Sequence, residues 1–422
     1  MTGVVTALEH ESLLVGEASD QSISVDELQQ LMRIADWCPG FCQVGYRRVR
    51  LTSYAGLARL GGRILEILPK VSDGDASAEA CRGILLRLLR LARRMKIRSQ
   101  GDADHAQRHS PLLDVFIKHY FDEVTTLQRG GLIRRYQRRQ DDLGLIRGRL
   151  LLQRQIARHG MRPDRIACAF DELTPDNDWN RVLKAAMYAC RPWLHSLALQ
   201  RRWSELWAGF DGVSLPAQPA EALGSLSPDR QSNRYSDAVR WARWIIEHLS
   251  PNLRAGENTA PSMLFDMNQL FEQAIAQQLE RQMRARASAW QLREQVRDRH
   301  LARHIGTNRN AIGLRPDLLM TGPDGQSFIA DTKWKLPKAI NGEVQPAAQD
   351  VHQMLAYAAA FRCERLALIY PWQPDTIHNR SNSLKLPEVA GVEPILDIIC
   401  IDVGDDALPV RSGLASPIGE LF

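Results

Sequence analysis

The stretch RPDLLMTGPDGQSFIADTKWK, residues 315–335, constrains the fold more than any other part of the chain. Two short apolar runs flank a turn at Gly322-Pro323-Asp324-Gly325, which predicts a β-hairpin. Each strand nevertheless carries an acid, Asp317 on the first and Asp331 on the second, and Lys333 follows two residues later. Residues i and i+2 of a strand project to the same side, so Asp331 and Lys333 are expected to point together, with Thr332 and Trp334 facing away. The hairpin brings Asp317 toward Asp331. Close carboxylates repel, and burying either costs on the order of several kcal/mol unless a cation compensates. A hard divalent ion meets that need, and magnesium prefers oxygen ligands and keeps several waters. Such a site suits phosphodiester hydrolysis: it can polarise a phosphate oxygen, lower the pKa of a bound water and, with Lys333, offset developing negative charge.

The surroundings support a buried sheet. A long helix is predicted over Met263–Arg286, with Met267, Leu270, Phe271, Ala274, Ile275 and Leu279 on its core stripe and Glu272 at the margin. A strand follows near Trp290–Val296, then the hairpin. A helix over Pro346–Phe361 places Gln353 and Tyr357 four apart on one face, able to point at the site. LALIY, ending at Pro371, and ILDIICIDV read as further strands. The order α, three β, α, β predicts a mixed α/β domain with a central sheet covered by helices.

A chain of 422 residues suggests two or three domains. The expected division is 1–165, β-rich with helices; 166–255, a helical middle region and linker; and 256–422, the domain with the acidic hairpin. In the first segment, LARLGGRILEILP reads as a hairpin turning at Gly61-Gly62. Helices follow with stripes at Ile84, Leu85, Leu88, Leu89, Ala92 and Met95, and at Phe116, Ile117, Tyr120, Phe121 and Val124. LIRRYQRRQDDLGLIRGRLLL reads as a strand pair with arginines on its wet face. CAFDELTPDNDWNRVLKAAMYAC opens a helical region with Val182, Leu183, Ala186, Met187 and Cys190 as its stripe. Its acids Asp171, Glu172, Asp176 and Asp178 have the composition of a metal loop, but capping and turn roles explain them. The run from Val213 to Asn233 reads as a loop or linker.

Net charge is only +5, so its distribution matters more than its sum. Residues 129–165 hold eleven Arg against three Asp, and residues 281–309 hold eight Arg against one Glu and one Asp. Guanidinium forks suit phosphate oxygens, although solvated faces or an acidic protein partner would use the same residues. Seven cysteines without CxxC pairs fit a reducing, cytoplasmic setting, and Cys38 and Cys42 read as a turn with two half-buried thiols. His300 and His304 sit among arginines that disfavour a cation, so they read as a solvated basic face. No apolar run reaches membrane-spanning length, and the N-terminus lacks the pattern of a secretion signal.

RPD and ADTKWK, then QMLAY, then LIYP, resemble the PD-(D/E)xK nuclease superfamily, and more narrowly the McrC family of McrBC-type modification-dependent restriction systems. GGRILEILPKV, LIRGRLLLQRQIARH, CAFDELTPDNDWNRVLKAAM and MNQLFEQAI resemble that family's segments in order, from about Leu57 to Pro371. The resemblance implies a C-terminal restriction-endonuclease-like domain that cuts double-stranded DNA with magnesium, after 5-methylcytosine-type recognition. On it, Asp317, Asp331 and Lys333 fall on the catalytic motif, Glu272 on the helical acid and Gln353 on the supporting glutamine, with Tyr357 beside it. Asp317, Asp331 and Glu272 are then the expected metal ligands. It also implies an N-terminal part that docks on a hexamer of an McrB-like AAA+ GTPase and stimulates its hydrolysis. GTP would be bound by that partner, which agrees with the lack of a P-loop here. The alternatives are a non-cleaving regulatory subunit and an autonomous DNA-repair nuclease.

Overall fold

The computed structural model describes residues 4–16, 19, 22–61, 63–70, 77–92, 111–160, 164–194, 196–249, 262–286, 288–340, 343–372, 383–405 and 407–412. Its contacts form two compact units, residues 1–112 with 262–422 and residues 113–261. This grouping differs from three consecutive segments. The start of the expected third segment completes a sheet begun by the first, and the expected boundary at 255/256 lies outside the described residues.

The first unit begins with β1 (Val4–Leu8), β2 (Ser12–Val15), β3 (Ser22–Ile23) and α1 (Val25–Trp37). Ser24 and Glu27 close a reciprocal capping box that fixes the start of α1. β4 (Cys42–Gly45) and β5 (Arg48–Leu51) complete a sheet in the order β3-β2-β5-β4. The predicted hairpin is β6 (Tyr54–Leu60) and β7 (Arg63–Leu68), turning at Gly61, whose φ of 60° needs no Cβ penalty. α2 (Ala78–Leu91) buries its expected stripe as far as Leu89, while Met95 lies outside the described residues. Fully buried Glu66 accepts from Arg82 at 2.7 and 2.8 Å, from the Thr6 hydroxyl and from the Leu112 amide. A buried charge is tolerated only when so completely partnered.

The second unit holds most of α3 (Leu112–Arg129), whose predicted stripe is buried throughout. β8 (Arg135–Leu143), β9 (Arg149–Leu150), α4 (Leu152–His159) and β10 (Ile166–Thr174) follow. β8 and β9 do not pair with each other as expected; both flank β10, in the order β8-β10-β9. β10 also corrects the helical reading of CAFDELT. The helix, α5 (Asp178–Cys190), starts only after the Asn177 cap. Asp176 is held by Arg181 and Ser214, and Glu172 by Arg139, so these acids act as ion-pair and turn groups. α6 (Leu197–Ala208), α7 (Pro219–Gly224) and α8 (Ser236–Leu249) complete the unit, with α7 inside the run expected to be a loop.

The chain then returns to the first unit. β11 (Ser262–Asp266) pairs with β6, giving the order β1-β7-β6-β11, and only then does α9 (Met267–Ala285) begin, capped by Asp266. Met263 thus lies in a strand rather than in the helix. Gly56 of β6, with φ 135°, makes room: a Cβ there would sit 1.9 Å from the Met263 carbonyl oxygen. β12 (Gln291–Glu294), β13 (His300–Arg303), β14 (Asn310–Gly313), β15 (Leu318–Thr321) and β16 (Ser327–Thr332) follow. The minor hairpin β17 (Lys338–Ile340) and β18 (Glu343–Gln345) leads to α10 (Ala348–Phe361), β19 (Arg365–Pro371), β20 (Ser383–Lys385), β21 (Ile395–Ile401) and β22 (Val410–Ser412).

The main sheet runs β12-β15-β16-β19-β21-β20, with β22 also on β21. β12, β15 and β16 are antiparallel, whereas β16, β19 and β21 are parallel, so the sheet is mixed. Both β19 and β21 are buried along nearly their whole length, as parallel strands covered on two faces must be. Among the described residues no helix is long and apolar enough to cross a membrane.

Candidate active site

The strands place the predicted residues together. Asp317 immediately precedes β15, and its carbonyl accepts from the Gln295 amide at 2.9 Å, continuing the ladder with β12. Asp331 is the penultimate residue of β16 and only 1% exposed. The Lys333 amide donates to the Ile369 carbonyl at 2.9 Å, so the parallel pairing with β19 extends past the strand end and fixes the lysine backbone.

Lys333 and Asp331 do point together, with Nζ 2.5 Å from Asp331 Oδ2. Lys333 Nζ also donates to Gln353 Oε1 at 2.9 Å. Gln353 Nε2 donates to the Tyr357 hydroxyl oxygen at 2.8 Å and lies 3.4 Å from Asp331 Oδ1. Tyr357 in turn donates to the Arg315 carbonyl at 2.9 Å. One face of α10 therefore braces both the lysine and the chain that leads into Asp317. Burial raises the Asp331 pKa, and the charge of Asp317 raises it further, while Lys333 works in the opposite direction. Asp317 is raised by burial and held down by the Thr332 amide and hydroxyl, which donate to its Oδ2 at 2.7 and 2.9 Å.

Glu272 on α9 is buried and is pushed up to about 7 by burial first and then by the field of Asp317. Its Oε1 accepts from Gln295 Nε2 at 2.6 Å, and Arg315 donates to the other end of the same amide. The expected trio Asp317, Asp331 and Glu272 is not gathered into a three-ligand cage: among the described residues no group of three or more His, Cys, Asp or Glu could hold a metal ion. Each acid has its own partner instead, Thr332, Lys333 and Gln295 respectively. The central donors are still hard oxygens of two carboxylates, Asp331 buried and Asp317 half-buried, whose ionisation is opposed by desolvation, with Asp331 raised further by its neighbour. That chemistry fits a divalent cation on Asp317 and Asp331, with Glu272 behind them.

Two supports, Thr332 and Gln295, and the distant partner of Trp334 were not anticipated. Thr332 was expected to face away, yet its hydroxyl reaches Asp317 because that acid sits at the strand mouth rather than within the ladder. Gln295 links Glu272 to Arg315 from a left-handed backbone, φ 49°. Trp334 does leave the site: its indole N–H donates to Glu9 Oε1 at 2.8 Å, and its ring packs on Phe271 at 5.3 Å between centroids. The first two are local polar contacts that no period marks, and Glu9 lies 325 residues from Trp334.

Fold and site together define a mixed α/β protein with two carboxylates, a lysine and a glutamine clustered at the end of a buried sheet. Residues 49–371 match the family described as McrBC 5-methylcytosine restriction system component, and the chain belongs to that family. Among solved structures, it is similar to a chain of the Thermococcus gammatolerans half-complex of McrB AAA+ hexamers with bound McrC. That likeness has a TM-score of 0.72 and 16% identity over 95% of both chains. A chain of the cryo-EM structure of the Thermococcus gammatolerans McrBC complex is also similar, with a TM-score of 0.51 and 20% identity over 66% of this chain and 88% of that one. No curated protein matches.

Proposed function

We propose that the chain is the DNA-cutting subunit of a modification-dependent, 5-methylcytosine-type restriction complex. It docks on an AAA+ GTPase hexamer like McrB, stimulates that partner's GTP hydrolysis, and leaves GTP binding to it. Family membership and the Thermococcus likeness support the partner. The observation that carries the nuclease reading is Lys333 held between buried Asp331 and Gln353, with half-buried Asp317 beside them.

Asp317 and Asp331 would hold a magnesium ion, which when bound supplies Lewis-acid polarisation of a phosphate oxygen and a more acidic water. The chain's own groups do the rest. Lys333, unable to swing freely because Gln353 grips its ammonium, presents a fixed positive charge where negative charge develops on the phosphate. Tyr357 keeps Gln353 in that orientation. The two donors of Thr332 favour the ionised form of Asp317, working against the burial that raises its pKa. Arg315 and the arginines of residues 281–309 would meet DNA phosphates.

The test is reconstitution with the McrB-like partner, GTP, magnesium and methylated duplex. Asp331→Ala is expected to abolish cutting while partner binding and GTPase stimulation persist. Cutting that survives in this variant refutes the assignment. Efficient cutting of duplex by the purified chain alone, with magnesium, would support an autonomous nuclease instead.

A further inference from the structure

The hairpin of β13 and β14 lies outside the main sheet and forms a two-stranded ribbon of its own. Its root is tied to the candidate site from both sides. Gln295, which precedes it, donates to Glu272; Arg315, which follows it, donates to Gln295 and accepts at its carbonyl from Tyr357. The root of this ribbon therefore sits beside the candidate catalytic residues.

Its surface is unlike that of a self-contained hairpin. Residues 297–315 carry five arginines and one acid, Asp298, and all five arginines are exposed. Among the described residues neither Arg303 nor Arg309 has an acidic partner. The ladder pairs Ala302 with Ala311, both half-buried, so the opposite face carries Leu301, Arg303, Asn310 and Ile312. Leu301 is 47% and Ile312 64% exposed, and Ile305 in the connecting loop is fully exposed. Ile312 also has φ 55°, a left-handed backbone that a β-branched residue adopts only under constraint, and Asn308 has φ 51°. No core burial explains this strained, apolar and basic surface. Strain retained at an exposed position marks a functional element more often than a packing one.

We infer that this ribbon is the duplex-gripping element of the enzyme: it enters a groove of double-stranded DNA, Arg303 and Arg309 meeting phosphates and Ile305 making an apolar contact at the base edges. A two-stranded ribbon fits the major groove, and paired guanidinium groups complement a polyanion on both flanks. The inference rests on the nuclease reading and specifies how that site takes its substrate.

The experiment uses the reconstituted complex and three chains: wild type, Arg303→Ala/Arg309→Ala, and Ile305→Ser. Duplex affinity is measured across salt concentration, together with duplex cleavage, partner assembly and hydrolysis of bis(p-nitrophenyl) phosphate, a small diester with no groove to grip. The double arginine variant is expected to bind duplex roughly 10-fold or more weakly at 0.15 M salt, with a slope of log affinity on log salt shallower by about 2. Ile305→Ser is expected to weaken binding with the slope unchanged. Both should assemble with the partner as wild type does, and Ile305→Ser should also hydrolyse the small diester as wild type does. An unchanged salt slope in the arginine variant overturns the inference, and if assembly weakens at the same time the ribbon faces an acidic protein surface instead. If wild type hydrolyses neither substrate, the nuclease reading fails, and the salt slope still decides the ribbon separately.

Discussion

Glu9 offers a sharp test of how the first unit is held together. It follows β1, is 1% exposed, and accepts from the Trp334 indole at 2.8 Å and the Lys70 amide at 2.7 Å through one oxygen. Among the described residues the other oxygen has no hydrogen-bond partner, and His10 Nε2 lies 4.0 Å from it. Burial pushes the carboxyl from its ordinary 4.5 to about 7, against the two donors. The folded protein thus holds the Glu9 proton more tightly than the unfolded chain does. Below pH 4.5 both states are protonated and the site costs nothing; as pH rises through about 7 that stability is lost, and above it the loss is constant. The shift corresponds to about 3 kcal/mol at about 1.4 kcal/mol per pKa unit. Glu9→Gln keeps an acceptor oxygen for both donors and cannot ionise. Relative to wild type, the variant should gain about 3 kcal/mol of stability between pH 5 and pH 8. Hydrogen-exchange protection of the β1 and β7 amides, normalised for intrinsic rate at each pH, reports this locally. A stability difference between the two proteins that does not change with pH would refute the argument.

Lys333→Ala should retain divalent-ion binding by calorimetry, because it removes a competing cation from Asp331. The same variant should lose DNA turnover in the reconstituted complex by about 100-fold or more, as deletion of a fixed transition-state charge does. Gly56→Ala should be the most damaging small substitution in the first unit, since its Cβ would meet backbone rather than a movable side chain. A loss of about 3 kcal/mol or more is expected from strand displacement, read as a fall in the denaturation midpoint and soluble yield.

Features governed by short-range periodicity were legible in the sequence. The β6–β7 hairpin showed through its glycines, α3 through five apolar residues at helical spacing, and the Asp331–Lys333 and Gln353–Tyr357 pairs through i,i+2 and i,i+4 geometry. What stayed hidden depends on distant partners. CAFDELTPDND reads as the opening of a helical region, yet Ile166–Thr174 is a strand because β8 and β9 offer it edges. Met263, Leu264 and Phe265 fit a helix equally well by hydrophobicity, and the free edge of β6 decides for a strand. Glu9 gave no signal at all: one acid at the end of an apolar strand acquires meaning only when Trp334 arrives beside it.

The pairing of β6 with β11 carries a consequence for biosynthesis and for dissecting the gene. As the nascent chain leaves the ribosome, β1, β6 and β7 emerge about two hundred residues before the strand that closes them, and every residue of the intervening unit is translated in between. Until then β6 presents an open ladder edge, the kind of surface that recruits chaperones or unwanted neighbours. Cutting the gene after residue 165 or 255 would strand that edge permanently. A separable fragment calls for two cuts, near residues 112 and 262, with the outer pieces rejoined.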